Sequence, residues 1–212
     1  MFSVVVALTK EDGMGMENRL PWHPRRLHLD MAFLKHLTVY GTADGLPLAI
    51  QTGQIARNSV IMGRKTWDSI PKKFKPMEHR QNIVITSNPE LFAQANAGLE
   101  VTAAGSLQEA FDLAKGKHIF VLGGAGIYKE ALLHPGCKSV FITRLLEHDP
   151  LPCDVHFPVD AMKLFNERQN ITANAVETLN SVLPPSATIA VFPDRIHENG
   201  IGYCIELHRK GC

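Results

Sequence analysis

Residues 58–87 read NSVIMGRKTWDSIPKKFKPMEHRQNIVITS. An apolar run at 58–63 ends on Gly63 and gives way to RKTWDS, a short segment of helical character from Arg64 to Ser69. Pro71 and Pro76 interrupt the chain, and a second apolar run follows at 81–87. These runs do not alternate polar with apolar, so they suit strands covered on both faces. Strand, short helix and strand in this order build a parallel sheet.

The same alternation extends in both directions. Phe2 to Leu8 is a β-branched run of the same kind, as are 118–124 and 138–144. Helical segments fall at 27–38, at 106–115 (Leu107, Ala110, Phe111 and Ala114 share a face) and at 125–133. The pattern predicts an α/β fold: a single domain over 1–212 with a central, mostly parallel mixed β-sheet and helices on both faces. Residues 187–192 and 201–208 follow one another without a clear helix, separated by the turn-rich PDRIHENG. They predict an antiparallel hairpin at the C-terminal edge of the sheet. Residues 39–57, 88–100 and 166–186 read as loops or insertions, and ITANAVETL inside the last suits helix or strand equally. No internal repeat is present.

At 212 residues the chain is most simply one domain, and 45% apolar with 20% charged residues is ordinary for a soluble globular protein. A net charge of +1 gives no support to a nucleic-acid or acidic-membrane partner. Cys137, Cys153, Cys204 and Cys212 form no CxxC and no ligand spacing with histidine. No metal site is therefore expected, and a reducing compartment fits. The opening MFSVVVALTKED has no basic n-region. No apolar run approaches the roughly 18 residues of a membrane span. The expectation is a cytoplasmic protein with no membrane partner.

Two strands end on glycine. IFVLGGAGIY runs into Gly123, Gly124 and Gly126, with a helix starting near Ala125, and VIMGRKTW turns at Gly63 into Arg64, Lys65 and Thr66. Glycine lets a backbone turn sharply and leaves amides open to a ligand, and free N–H groups at a helix start suit phosphate. The bland alternative is a tight turn packed against a neighbour. The run 81–87 ends similarly, with Thr86, Ser87 and Asn88 able to donate hydrogen bonds. Three such endings favour the crevice at the carboxyl ends of the strands.

In the 27–38 helix Leu27, Met31, Leu34 and Leu37 recur at helical spacing, and Asp30 lies on the same face. Such a carboxylate is either a boundary residue, a partner of an arginine such as Arg26, or an acid held in an apolar pocket to receive a ligand. In the last case burial would raise its pKa.

Taken together, these stretches resemble dihydrofolate reductase. The family pattern is recognisable at VVVAL, DGMGMENRLPW, LDMAFLKHLT, residues 58–87, FVLGGAGIYKEAL, and VFITRL followed by CDVHFP, with SIPKKFKPM closest to the eukaryotic versions. The resemblance implies reduction of 7,8-dihydrofolate to tetrahydrofolate with NADPH, by a monomer that also binds antifolate small molecules. It places Val5, Val6 and Ala7 at the pteridine end and Asp30 on the pterin's N3 and 2-amino group, with Thr143 supporting that acid. It places Met31 and Leu34 on one wall, with Thr66, Ile70, Phe74 and Met77 on the other. Arg80 matches the arginine that pairs with the substrate's α-carboxylate, and Leu122 and Tyr128 match residues near the nicotinamide and pterin. Met14, Gly15, Leu20 and Trp22 belong to the loop that closes over the cofactor, with Leu20 and Trp22 beside the catalytic acid. Gly63, Arg64, Lys65 and Thr66, then Thr86, Ser87 and Asn88, then Gly123, Gly124, Ala125, Gly126 and Ile127 match the cofactor-binding segments, to which Ala7 and Leu122 also contribute. There are departures: HPRRLHL resembles a short insertion between Trp22 and Asp30, and Ser87 stands where many eukaryotic members carry Arg. Contact with a 2′-phosphate would then fall on Arg64 and Lys65.

Two rivals remain at this level. The pyrimidine reductase of riboflavin synthesis shares the fold and NADPH but would not require Arg80 or the pairing of LPW with an acid. A binding protein without catalysis would keep every pocket residue, and turnover alone separates it from an enzyme.

Overall fold

The computed structural model describes residues 1–45, 57–147, 149–182 and 194–211. The apolar runs become β1 (Phe2–Leu8), β3 (Asn58–Gly63), β4 (Arg80–Ile85), β6 (Ile119–Val121), β7 (Cys137–Leu145) and β11 (Ile201–Arg209). Shorter strands join them: β2 (Gly13–Gly15), β5 (Val101–Ala104), β8 (Val155–His156), β9 (Glu167–Asn170) and β10 (Ile196–Glu198). The helices are α1 (His28–Tyr40), α2 (Arg64–Ser69), α3 (Pro89–Ala95), α4 (Leu107–Leu113), α5 (Ala125–Leu133) and α6 (Thr172–Asn180).

The main sheet has nine strands in the order β10-β11-β7-β1-β6-β3-β4-β5, with β9 also on β11. From β7 to β5 the strands run parallel, and β9, β10 and β11 form the antiparallel edge. Because successive side chains alternate between faces, β1 feeds two cores. Val5 packs with Phe33 and Leu37 of α1, Trp67 of α2 and Val176 of α6. Val4, Val6 and Leu8 pack with Ala110 of α4 and Ala131 and Leu132 of α5. Helices on both faces explain the unbroken apolar strands.

Three expectations are corrected. The stretch 88–100 is not all loop: Asn88 caps α3 by accepting the Leu91 N–H, with Pro89 in the first turn. The stretch 166–186 holds β9 and α6, and ITANAVETL resolves to helix because Ala175, Val176 and Leu179 form one buried face. Residues 187–192 lie outside the described residues. The strand that pairs with β11 is β10, inside the PDRIHENG read as a turn. The turn itself is Asn199-Gly200, at φ 52° and 75°. A dipeptide Asn-Gly is the preferred two-residue hairpin turn because both positions need positive φ. That signal was present in the sequence.

Candidate active site

Asp30 is 4% exposed. It sits in the first turn of α1, where the Thr143 hydroxyl of β7 donates to its Oδ1 at 2.6 Å. Among the described residues no ion pair reaches it, so pairing with Arg26 is not the arrangement adopted. Burial pushes its pKa up to about 6, opposed by the Thr143 hydrogen bond and assisted by the negative charge of Glu198. The apolar stripe of α1 is displaced from the expected one. Asp30, Phe33 and Leu37 turn inward with Leu27, whereas Met31 is 47% exposed and Leu34 only partly buried. The acid therefore shares the core face, and Met31 and Leu34 stand at its rim.

Beside Asp30 the sheet presents Ala7, register partner of Thr143. Val5 lies on the same face, and the Val6 side chain points into the opposite core, so Val6 faces this side through its backbone alone. Tyr128 does not offer its ring to this side. It is buried in the opposite core, and its hydroxyl donates to the Val5 carbonyl at 2.7 Å. Tyr128 thus bears on the Asp30 side through the Val5 carbonyl. Ile70, Met77 and Leu122 are partly buried against the α1-side core, Thr66 is half-buried, and Phe74 is 58% exposed. Trp22 packs in that core, and Leu20 is exposed.

Further along α1 lies a second buried charge. Arg80 is 8% exposed; its Nη1 donates to Thr38 Oγ1 at 2.8 Å and its Nε to the Glu78 carbonyl at 3.0 Å. Burial lowers its pKa to about 10, which leaves it cationic at neutral pH. Among the described residues no salt bridge neutralises it either. Positions 30 and 38 lie about 12 Å apart along the helix axis. An elongated ligand with hydrogen-bond donors at one end and a carboxylate at the other would satisfy both charges.

The glycine ends meet. The Gly63 N–H donates to the Gly123 carbonyl at 2.7 Å. A Cβ on Gly63 would come within 2.9 Å of Ile127, and one on Gly123, at φ 109°, within 3.0 Å of the Tyr128 ring. A Cβ on Gly126 would meet nothing within 4 Å, and one on Gly124 only the Thr66 hydroxyl at 3.7 Å. Gly63 and Gly123 thus fit the tight turn packed against a neighbour, and the room beside the start of α5 lies at Gly124 and Gly126. At the end of β3, Arg64 pairs with Asp68 at 2.8 Å, half-exposed, and lies over the Phe92 ring, while Lys65 is exposed. Thr86 is buried and Ser87 exposed; Asn88 Oδ1 is already committed to the cap of α3.

Met14 and Gly15 lie in β2, which pairs with β8. The loop is tied there: the Glu17 N–H donates to Asp154 Oδ2 at 2.9 Å, and the Asp154 N–H to the Gly15 carbonyl at 3.0 Å. Arg144 reaches from β7 to Asp12 and the Thr9 carbonyl at the loop's base. Sequence reasoning missed Asp12, Arg144, Asp154, Thr38 and Glu198. The block CDVHFP offered a hint for Asp154, but no local pattern marks Glu198.

A family model described as Dihydrofolate reductase matches residues 52–182. The chain is 31% identical to the dihydrofolate reductase of Encephalitozoon cuniculi over 214 residues, covering 99% of this chain and 98% of that protein. It is 40% identical to the bifunctional dihydrofolate reductase-thymidylate synthase of Daucus carota over 74% of this chain, but spans only 28% of that protein. The solved Schistosoma mansoni dihydrofolate reductase superposes with a TM-score of 0.67 at 29% identity, covering 99% of this chain and 98% of that one. With an acid on α1 and an arginine on β4 that make no ion pair among the described residues, a family model matching residues 52–182, and a relative matched over 99% of this chain, the chain belongs to the dihydrofolate reductase family.

Proposed function

We propose that the chain reduces 7,8-dihydrofolate to tetrahydrofolate with NADPH, and that 1–212 acts as one domain. The observation that carries this reading is the pair of buried charges, Asp30 on α1 and Arg80 on β4 against Thr38 of α1, neither of which makes an ion pair among the described residues. Each is costly to bury alone. The pterin's N3 and 2-amino edge gives Asp30 the donors it lacks, and the substrate's α-carboxylate gives Arg80 a bidentate partner.

Asp30 orients the ring, and its charge favours protonation of the pterin without contributing a covalent bond. With a pKa near 6 it is mostly ionised at neutral pH, and Thr143 holds one oxygen so that the other faces the ligand. Tyr128 fixes the Val5 carbonyl, which fixes the floor of the pocket. Loop 13–22, tied through Asp154, excludes bulk water. Bound NADPH supplies the hydride. Gly63 and the glycine segment from Gly123 to Gly126 would line its site, and Arg64 and Lys65 would offer cations to its 2′-phosphate.

The test is direct. Purified protein should consume NADPH when dihydrofolate is added, form tetrahydrofolate in equal amount, and stop on addition of an antifolate. Tight folate binding without NADPH consumption would replace this reading with that of a binding protein.

A further inference from the structure

α1 begins without a local cap. Leu27 holds the N-cap position and contributes no side-chain hydrogen bond, yet a helix leaves its first N–H groups without partners inside the helix. The acceptor comes from the tip of the C-terminal hairpin. Glu198 takes the His28 N–H at 2.6 Å, 170 residues away in sequence, and the Leu29 N–H at 3.1 Å. Tyr203, buried on β11, donates its hydroxyl to the same carboxylate at 3.0 Å, and that hydroxyl also faces the Asp30 backbone N–H. Next to Glu198, Asn199 Nδ2 donates to the Arg26 carbonyl at 2.5 Å. The segment that departs from the family's spacing, HPRRLHL, is thus gripped at its end by the hairpin.

We infer that Glu198 is a positioning residue: its carboxylate holds the first turn of α1 and so fixes where the Asp30 carboxylate stands and which charge it faces. Asp30 belongs to that turn, and its Thr143 contact at 2.6 Å survives only if the turn stays put. The surroundings leave few competitors for this influence. β10 presents Glu198, β11 presents Tyr203, and β7 and β1 present Thr143 and Ala7. Among the described residues Glu198 is the one charged group that bears on Asp30, and it adds to the upward push from burial. A negative charge at the helix start also offsets the partial positive charge there, which otherwise favours ionised Asp30. Both effects make the acid hold its proton to higher pH. The kinetic side of this inference rests on the dihydrofolate reading; the structural side does not.

The experiment follows the titration of Asp30 in the ligand-free full chain, by NMR of isotope-labelled aspartate side chains, with the signal assigned through Asp30→Asn. In Glu198→Gln the midpoint should fall by about half a unit or more. The pH profile of hydride transfer should move down by the same amount, with NADPH affinity unchanged. Glu198→Asp, which restores the charge, should return the midpoint towards wild type and keeps the test available if the amide variant folds poorly. Asn199→Gly keeps the positive φ but removes the bond to Arg26, and should loosen the strap while leaving the midpoint in place. An unmoved midpoint in Glu198→Gln, or an equal shift in Asn199→Gly, would overturn the role of Glu198. Absence of turnover in the wild-type protein would instead count against the dihydrofolate reading, and the ligand-free titration would still decide this one.

Discussion

Asp30 and Glu206 are buried to nearly the same degree, 4% and 2% exposed, on opposite faces of the same sheet. The register shows it: Ile205 pairs with Thr143 on the Asp30 side, and Glu206 pairs with Ile142 on the other. Their surroundings differ completely. Glu206 takes Arg168 Nη2 at 2.6 Å, His208 Nε2 lies 2.8 Å from its other oxygen, and the Cys204 thiol donates to it. Burial alone would raise its pKa, but His208, Arg168, Cys204 and Arg144 together bring it below the usual carboxylate range. Asp30 has one hydroxyl and a negative neighbour, and its pKa rises. A carboxylate that the fold neutralises is structural; one that the fold buries and leaves short of donors is ready for a ligand.

The sharpest way to break this contrast is Asp30→Asn. The amide keeps the shape but loses the charge and can turn an N–H towards a ligand donor. Hydride transfer should fall by at least about 100-fold while NADPH affinity hardly changes. A single-turnover rate within threefold of wild type from acid to alkaline pH would remove Asp30 from the chemistry. Arg80→Ala comes next. Binding of folates should weaken by about 2 kcal/mol, roughly thirtyfold, and a pterin without the glutamate tail should be nearly indifferent. Equal losses for both ligands would make Arg80 a support for α1 through Thr38.

Stability should separate the two carboxylates by sign. Asp30 binds a proton in the native protein between about pH 4 and its pKa of about 6, where the unfolded chain is already ionised. The native state thus loses stability as pH rises through that window, by an amount of order 2–3 kcal/mol. Asp30→Asn should therefore melt higher than wild type above pH 6, and the advantage should vanish towards pH 4. Glu206 behaves oppositely: its lowered pKa contributes stability above the ordinary glutamate value, lost as pH falls through the native one. Glu206→Gln should cost about 1–2 kcal/mol near neutral pH, less in acid, and leave hydride transfer alone. Thermal melts of both variants across pH 4 to 8 that moved in the same direction would erase the distinction. The smallest effect belongs to the cofactor side. Arg64→Ala, at a half-exposed pair with Asp68, should raise the NADPH KM by about fivefold, equivalent to about 1 kcal/mol, and that for NADH much less.

Much of the cofactor side is legible in the amino-acid order. Gly63 and Gly123 announce strand ends because the turn that follows each strand is made by adjacent residues, and α3 and α4 are capped by Asn88 and Ser106 from their own chain segment. The acid side is half legible. Helical spacing places Asp30 on an apolar face, but spacing averaged over a helix does not tell Met31 from Phe33 as the core residue. The second hairpin arm is hidden in PDRIHENG, where the Asn-Gly signal is outweighed by the polar residues around it.

The sequence alone determined the elements whose causes lie within a few residues: the buried strands, the glycine turns, the helix carrying Asp30 and the match to a reductase. Tertiary structure decided the state of that acid. Burial, the Thr143 hydroxyl and the Glu198 carboxylate are supplied by strands far along the chain from α1. Proton affinity depends on distance through space, and distance through space is what a linear pattern of residues does not encode.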